Sequence, residues 1–147
     1  MRVLLMALCA SLVAGCEQPS IAPPTIRWGT DACANCSMSI HDEASSCAIV
    51  RLDSRGQLES LLCDDLNCAI ELLGERGSDG PWTTFVHDRT TLSWIAAADA
   101  RFVRSTTIKT PMASGIAAYA HTDASESHNF SEITKIVTER STVRPTN

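Results

Sequence analysis

The chain is 147 residues long, 44% hydrophobic and only 5% aromatic, with 17 acidic against 12 basic side chains and a formal net charge of −5. So few aromatic rings, and no basic cluster, exclude a nucleic-acid-binding surface. The acidic balance points to cations as partners in place of anions.

Residues 1–15 read as a secretory signal peptide: one positive charge at Arg2, an apolar run from Val3 to Val13, and small residues before Cys16. The run is too short to cross a bilayer as a helix. Leu12-Val13-Ala14-Gly15-Cys16 resembles a bacterial lipobox, whose cysteine is lipidated and becomes the mature N-terminus. An ordinary secreted protein with a coincidental Cys16 is the alternative. Glu17 stands where an aspartate would signal inner-membrane retention, which turns the expected location towards the outer membrane, facing the periplasm. An acyl anchor needs no membrane-spanning segment. Residues 16–27 carry Pro19, Pro23 and Pro24 and predict a semi-extended tether. Cleavage leaves 132 of the 147 residues and, without Arg2, 17 acidic against 11 basic groups, a charge of −6. That length suits one domain, or two small subdomains sharing a core.

The body, residues 28–139, opens on Cys33-Ala-Asn-Cys36-Ser-Met38. Two thiols and a thioether within six positions form a donor set for a soft monovalent metal such as Cu(I). If the chain is extended after Cys36, Met38 falls on the same face. Zinc knuckles, redox motifs and disulfide hairpins share the Cys-x-x-Cys spacing. Ser46–Leu52 and Gln57–Cys63 then predict two strands of a hairpin turned at Asp53–Gly56. Leu66, Ala69, Ile70 and Leu73 recur with helical period, capped by one of Asp64 and Asp65 and ended by Gly74. Cys68 lies at the edge of that apolar stripe. Further strands are expected at 82–87, 92–95, 101–104 and 116–121, with a loop at Thr110–Ile116 and a helix over Ser125–Glu139. Residues 140–147 read as a flexible tail. The fold class is α+β, β-hairpins packed with two helices, which could divide into two related ββαβ-type subdomains.

Five thiols remain in the mature chain, Cys33, Cys36, Cys47, Cys63 and Cys68, an odd number that cannot pair completely within one chain. Methionine is usually a core filler, yet Met38 lies between serines and Met112 between Pro111 and Ala113, outside any apolar stripe. Cys63 and Cys68 could complete a four-cysteine zinc site with Cys33 and Cys36. A disulfide from Cys63 to Cys68, or from Cys47 to either, is the plainer reading. A thiol–disulfide oxidoreductase would need its thiolate at a helix N-terminus, and Ser37-Met-Ser-Ile-His-Asp42 favours an extended chain instead. The four histidines, His41, His87, His121 and His128, sit in polar contexts and read as solvated. His121 and His128 follow the Met112 loop and are the candidates to test. No Ser/His/Asp arrangement points to an enzyme.

Taken together, Cys33-Ala-Asn-Cys36-Ser-Met38, Cys63-Asp-Asp-Leu-Asn-Cys68, Trp94-Ile95 and Thr110-Pro-Met-Ala-Ser-Gly-Ile116 resemble the NosL family, lipoprotein copper chaperones of nitrous oxide reductase maturation. The likeness runs from about Trp28 to His121. It implies a membrane-anchored, periplasm-facing Cu(I) donor with a hairpin-rich α+β fold, and nitrous oxide reductase or its maturation complex as acceptor. By matching position, it also implies Cys33, Cys36, Met38 and Met112 as metal ligands, with a histidine such as His121 as a further donor. Ser37 departs from the glycine or histidine expected there, and Cys47 and Cys63 lie outside the family's pattern.

Overall fold

The computed structural model describes residues 20–143. The expected signal peptide, the expected lipidation site Cys16 and the first part of the expected tether lie outside the described residues, as do residues 144–147. Among the described residues, no helix is long and apolar enough to cross a membrane.

Strands β1 (Cys47–Leu52) and β2 (Leu58–Cys63) form the expected hairpin, in a register that sets Cys47 opposite Cys63 and Leu52 opposite Leu58. Asp53 builds the turn: its carboxylate accepts from the N–H groups of Arg55 and Gln57, both at 2.8 Å, and Gly56 supplies φ +73°. Helix α1 (Leu66–Arg76) follows at once. Its cap is Asp65, whose Oδ1 accepts from the N–H of Asn67 at 3.0 Å. The helix does not end at Gly74 but runs on to Arg76. Gly74 faces open space, where glycine costs a helix only about 1 kcal/mol, and the Trp82 indole N–H satisfies the carbonyl of Arg76 at 3.2 Å.

Strands β3 (Thr83–His87) and β4 (Trp94–Ala96) complete a four-stranded antiparallel sheet of order β2-β1-β3-β4. A second antiparallel sheet, of order β6-β5-β7, holds β5 (Arg101–Arg104), β6 (Ile116–Tyr119) and β7 (Ser127–His128). Asp88 joins the two sheets: it bridges Ala118, and its carboxylate accepts from the N–H of Ala120 at 2.5 Å. This is an α+β fold in which both sheets and both helices feed one buried cluster, with Ile49, Ile70, Phe102 and Ile133 at its centre. Ile26 belongs to that cluster too, so the packed body begins two residues before the expected Trp28.

The second helix, α2 (Phe130–Val143), starts five residues later than expected, because Ser127–His128 pairs with β5 as an edge strand. Asn129 sets the boundary. Its side-chain oxygen accepts from the N–H of Glu132 at 3.0 Å, while the Glu132 carboxylate accepts from the N–H of Asn129 at 2.8 Å, a reciprocal capping box. At its other end α2 continues past residue 140, where a tail was expected. Asn129→Ala should lower the unfolding free energy by about 1 kcal/mol, read as a lower urea midpoint at unchanged slope.

Candidate metal centre

Cys33 and Cys36 lie in a knuckle ahead of β1. The Ser37 N–H donates to the Cys33 carbonyl at 2.9 Å, closing one helical turn, and the Cys33 N–H then meets the Met38 carbonyl at 2.8 Å. Reversing the chain this sharply puts Ser37 at φ +64°, the left-handed conformation that glycine adopts most easily. The departure from glycine noted in the sequence thus falls at the position where a side chain is least welcome. It also corrects the expectation of an extended run from Cys36 to Met38: the chain turns at Ser37, so the shared-face argument does not hold.

Three tertiary links press the knuckle onto β2 and α1. The Ala34 N–H donates to the Leu62 carbonyl at 2.8 Å, the Asn35 amide donates to the Glu71 carboxylate at 2.6 Å, and the same amide reaches the sulfur of Cys68. As a result Cys33, Cys36, Cys68 and Asp64 bring one donor atom each within 4.8 Å of one another. Cys68, expected at the edge of a stripe, is only 1% exposed, as is Asp64. Cys36 is the one half-buried member and the cluster's side towards solvent.

Cys33 is the hub. Its sulfur accepts from the thiols of Cys63 and Cys68 and from the N–H groups of Cys36 and Asp64, which together hold it far below the usual thiol range. Cys63 and Cys68 are pushed up in turn, chiefly because each keeps its proton to donate to Cys33. Burial raises Cys36, even though its sulfur accepts from the N–H of Met38. Burial is also the first cause of the shift that takes Asp64 up to about 6, with the Cys33 sulfur second. Asp64 Oδ1 accepts from the Cys36 thiol at 3.6 Å, but Oδ2 is buried with no hydrogen-bond partner. A buried, unpaired carboxylate oxygen is costly unless it takes a proton or a cation. The residues fit a metal ion.

The other expected ligands are placed differently. Met38 and Met112 are exposed, at 46% and 40%. Met112 is nevertheless fixed near the cluster: its N–H donates at 3.1 Å to Asp65 Oδ2, so one carboxylate caps α1 and tethers the Met112 loop. The loop borders a cleft of about 810 Å³ between α1 and α2, lined by Asn67, Glu71, Arg104 and Arg140 among others. His121 is exposed beyond the end of β6, across that strand's length from Met112, and is not part of the cluster. His87, expected to be solvated, is 3% exposed: it stacks on Trp94 at 3.7 Å and its Nδ1 lies 2.9 Å from the Ser46 hydroxyl. Burial lowers its pKa, disfavouring the charged imidazolium.

Sequence reasoning passed over Asp64 as a donor and placed Cys68 too far out. The signal for both was the unbroken run Cys63-Asp-Asp-Leu-Asn-Cys68. A capped first turn holds Asp64 and Cys68 at the start of one helix, beside the end of β2.

No family model matches the sequence, and no curated protein matches it. Among solved structures, the fold is similar to that of the copper chaperone NosL from Shewanella denitrificans, with 17% sequence identity and a TM-score of 0.55. The match covers 83% of this chain and 89% of that one.

Proposed function

We propose that this chain binds Cu(I) through the thiolates of Cys33, Cys36 and Cys68 and passes it to an acceptor protein, as a chaperone and not as an enzyme. One observation carries the reading: the sulfurs of Cys33, Cys36 and Cys68 converge within 4.8 Å of one another. Soft sulfur donors favour Cu(I). Three sulfurs leave a position open for an incoming ligand, as a closed tetrahedral site would not. Met38, on the knuckle, and Met112, on the loop tethered to Asp65, offer exposed thioethers, and we assign them to the transfer step, in which copper exchanges ligands on its way out. His121, away from the thiols, has no place in this ligand set. The fold shared with a copper chaperone supports the same reading. The lipobox-like segment supports attachment to a membrane facing the periplasm, and the sequence resemblance supports nitrous oxide reductase or its maturation complex as the acceptor.

Structural zinc is the second reading, favoured by the buried oxygen of Asp64, since three cysteines and an aspartate also suit tetrahedral Zn(II). Exposed thioethers and a half-buried Cys36 would be of no use to it. The test is a titration of the reduced protein with Cu(I) against a competing chelator, and in parallel with Zn(II). One tight copper equivalent, weakened in Cys36→Ser and Cys68→Ser, is the expected result. Met112→Leu, at an exposed site and with similar volume, should weaken Cu(I) retention without disturbing the fold. Tight zinc with weak copper would reverse the assignment.

A further inference from the structure

Cys33, Cys36 and Cys68 meet around Asp64, which leaves two thiols over, Cys47 and Cys63. These two stand directly opposite each other on β1 and β2 and are fully buried. Opposed residues of antiparallel strands have Cα atoms about 4.5–5.5 Å apart, inside the roughly 4.4–6.8 Å span of a disulfide. Cys63 also has a second neighbour. The knuckle that carries Cys33 is tied to the residue before Cys63 by the Ala34–Leu62 hydrogen bond of 2.8 Å, and Cys33 is the neighbour that most raises the Cys63 thiol. Two disulfides are therefore within reach of Cys63. One spares the metal-binding cluster and the other destroys it.

We propose that Cys47 and Cys63 close a cross-strand disulfide under oxidising conditions, and that Cys47 thereby guards Cys33, keeping its sulfur free for metal. The proposal rests on the reading of Cys33 as a ligand. It explains the odd thiol count, with three cysteines for the ion and two for each other. Chain order favours it as well. Cys47 and Cys63 are 16 residues apart, joined by a tight turn, whereas Cys33 and Cys63 are 30 apart. The hairpin thus closes with less loop entropy and earlier, while its thiols are still accessible. Once both are buried, reductants are shut out.

With a small disulfide such as oxidised glutathione as the oxidant, one protein thiol loses its proton to solvent and attacks a glutathione sulfur, expelling the other half as thiolate. The second protein thiolate attacks the mixed disulfide and releases the remaining glutathione. Two thiols become one disulfide, and the two electrons and two protons they lose reduce one oxidised glutathione to two reduced ones.

The experiment is refolding of the reduced wild-type protein in a glutathione redox buffer, alkylation of the remaining thiols, and peptide mapping of the partner of Cys63, followed by Cu(I) titration. A Cys47–Cys63 link, with Cu(I) bound as by the reduced protein, is expected. In Cys47→Ala the partner of Cys63 should switch to Cys33 and Cu(I) binding should be lost, to be recovered on reduction. A wild-type Cys33–Cys63 link, a Cys33–Cys36 link, or a Cys63 that remains alkylatable would overturn the proposal. The wild-type map needs no variant, so a folding defect in Cys47→Ala leaves the test standing. Failure of the reduced wild type to bind Cu(I) would sink the metal reading instead, and the disulfide map would still be read on its own.

Discussion

Cys33→Ser is expected to remove tight Cu(I) binding from the reduced protein while leaving it folded. Cys33 is where the cluster's negative charge collects: two thiols and two backbone N–H groups point at its sulfur. Cys36, Cys63 and Cys68 hold their protons more firmly than an ordinary cysteine does. A metal arriving at neutral pH therefore meets one thiolate first and displaces protons from the others as it binds. A serine hydroxyl fits the same space but is neither ionised at neutral pH nor soft. Its effect should exceed the roughly 10–100-fold losses that follow changes around a metal's direct ligands. The measurement is competition with a Cu(I) chelator, with Cys47→Ser as the control at a buried thiol away from the ion. Equal losses in the two variants would mean a general disturbance of the core, and an unchanged affinity in Cys33→Ser would place the metal elsewhere.

Local chemistry was legible in the sequence, and tertiary convergence was not. The β1–β2 hairpin follows from Asp53 and Gly56, and the start of α1 from Asp65, because each signal acts within five residues of itself. Cys33 and Cys36 stood out for the same reason. Cys68 was misjudged because a helical stripe drawn from apolar residues treats a cysteine two positions along as peripheral. Here α1 is approached from that side by the knuckle, which buries Cys68 under Asn35. His87 was misread in a similar way: its polar sequence neighbours conceal a pocket built by Trp28, Trp94 and Ser46, which come from three separate segments. The Asn129–Glu132 capping box, by contrast, was present in the sequence. The helical pattern of Ser125–Glu139 extends N-terminal to that start signal, so periodicity alone does not mark the boundary. Met38 was drawn as extended because nothing in Cys36-Ser-Met shows that Ser37 must turn left-handed to fit the knuckle.

Asp64→Asn is expected to stabilise the metal-free protein at neutral pH, by a margin that grows with pH up to about 6. Burial, aided by the Cys33 sulfur, pushes the Asp64 carboxyl from 3.8 up to about 6. Between those values the folded chain keeps a proton that the unfolded chain has released. The contribution of Asp64 to stability therefore falls as pH rises through the window, and above about 6 the full penalty of a buried carboxylate applies. At about 1.4 kcal/mol per unit the loss is on the order of 3 kcal/mol. Asparagine keeps the shape without the charge, so the difference in urea midpoint between variant and wild type should grow in the variant's favour from pH 4 to about 6 and then hold, whatever slope Cys33 and His87 give to both curves. A difference that does not change with pH would show that Asp64 is not held neutral by its surroundings. Metal reverses the sign. A cation among the thiolates favours the ionised carboxylate, so loading should release the Asp64 proton, and affinity should rise with pH across the same window. The size of the variant's effect then separates the two metals. Zn(II) takes carboxylate oxygen as a ligand, whereas Cu(I) prefers sulfur. Asp64→Asn should therefore weaken zinc binding more than copper binding, and the reverse order would return the oxygen to the copper site.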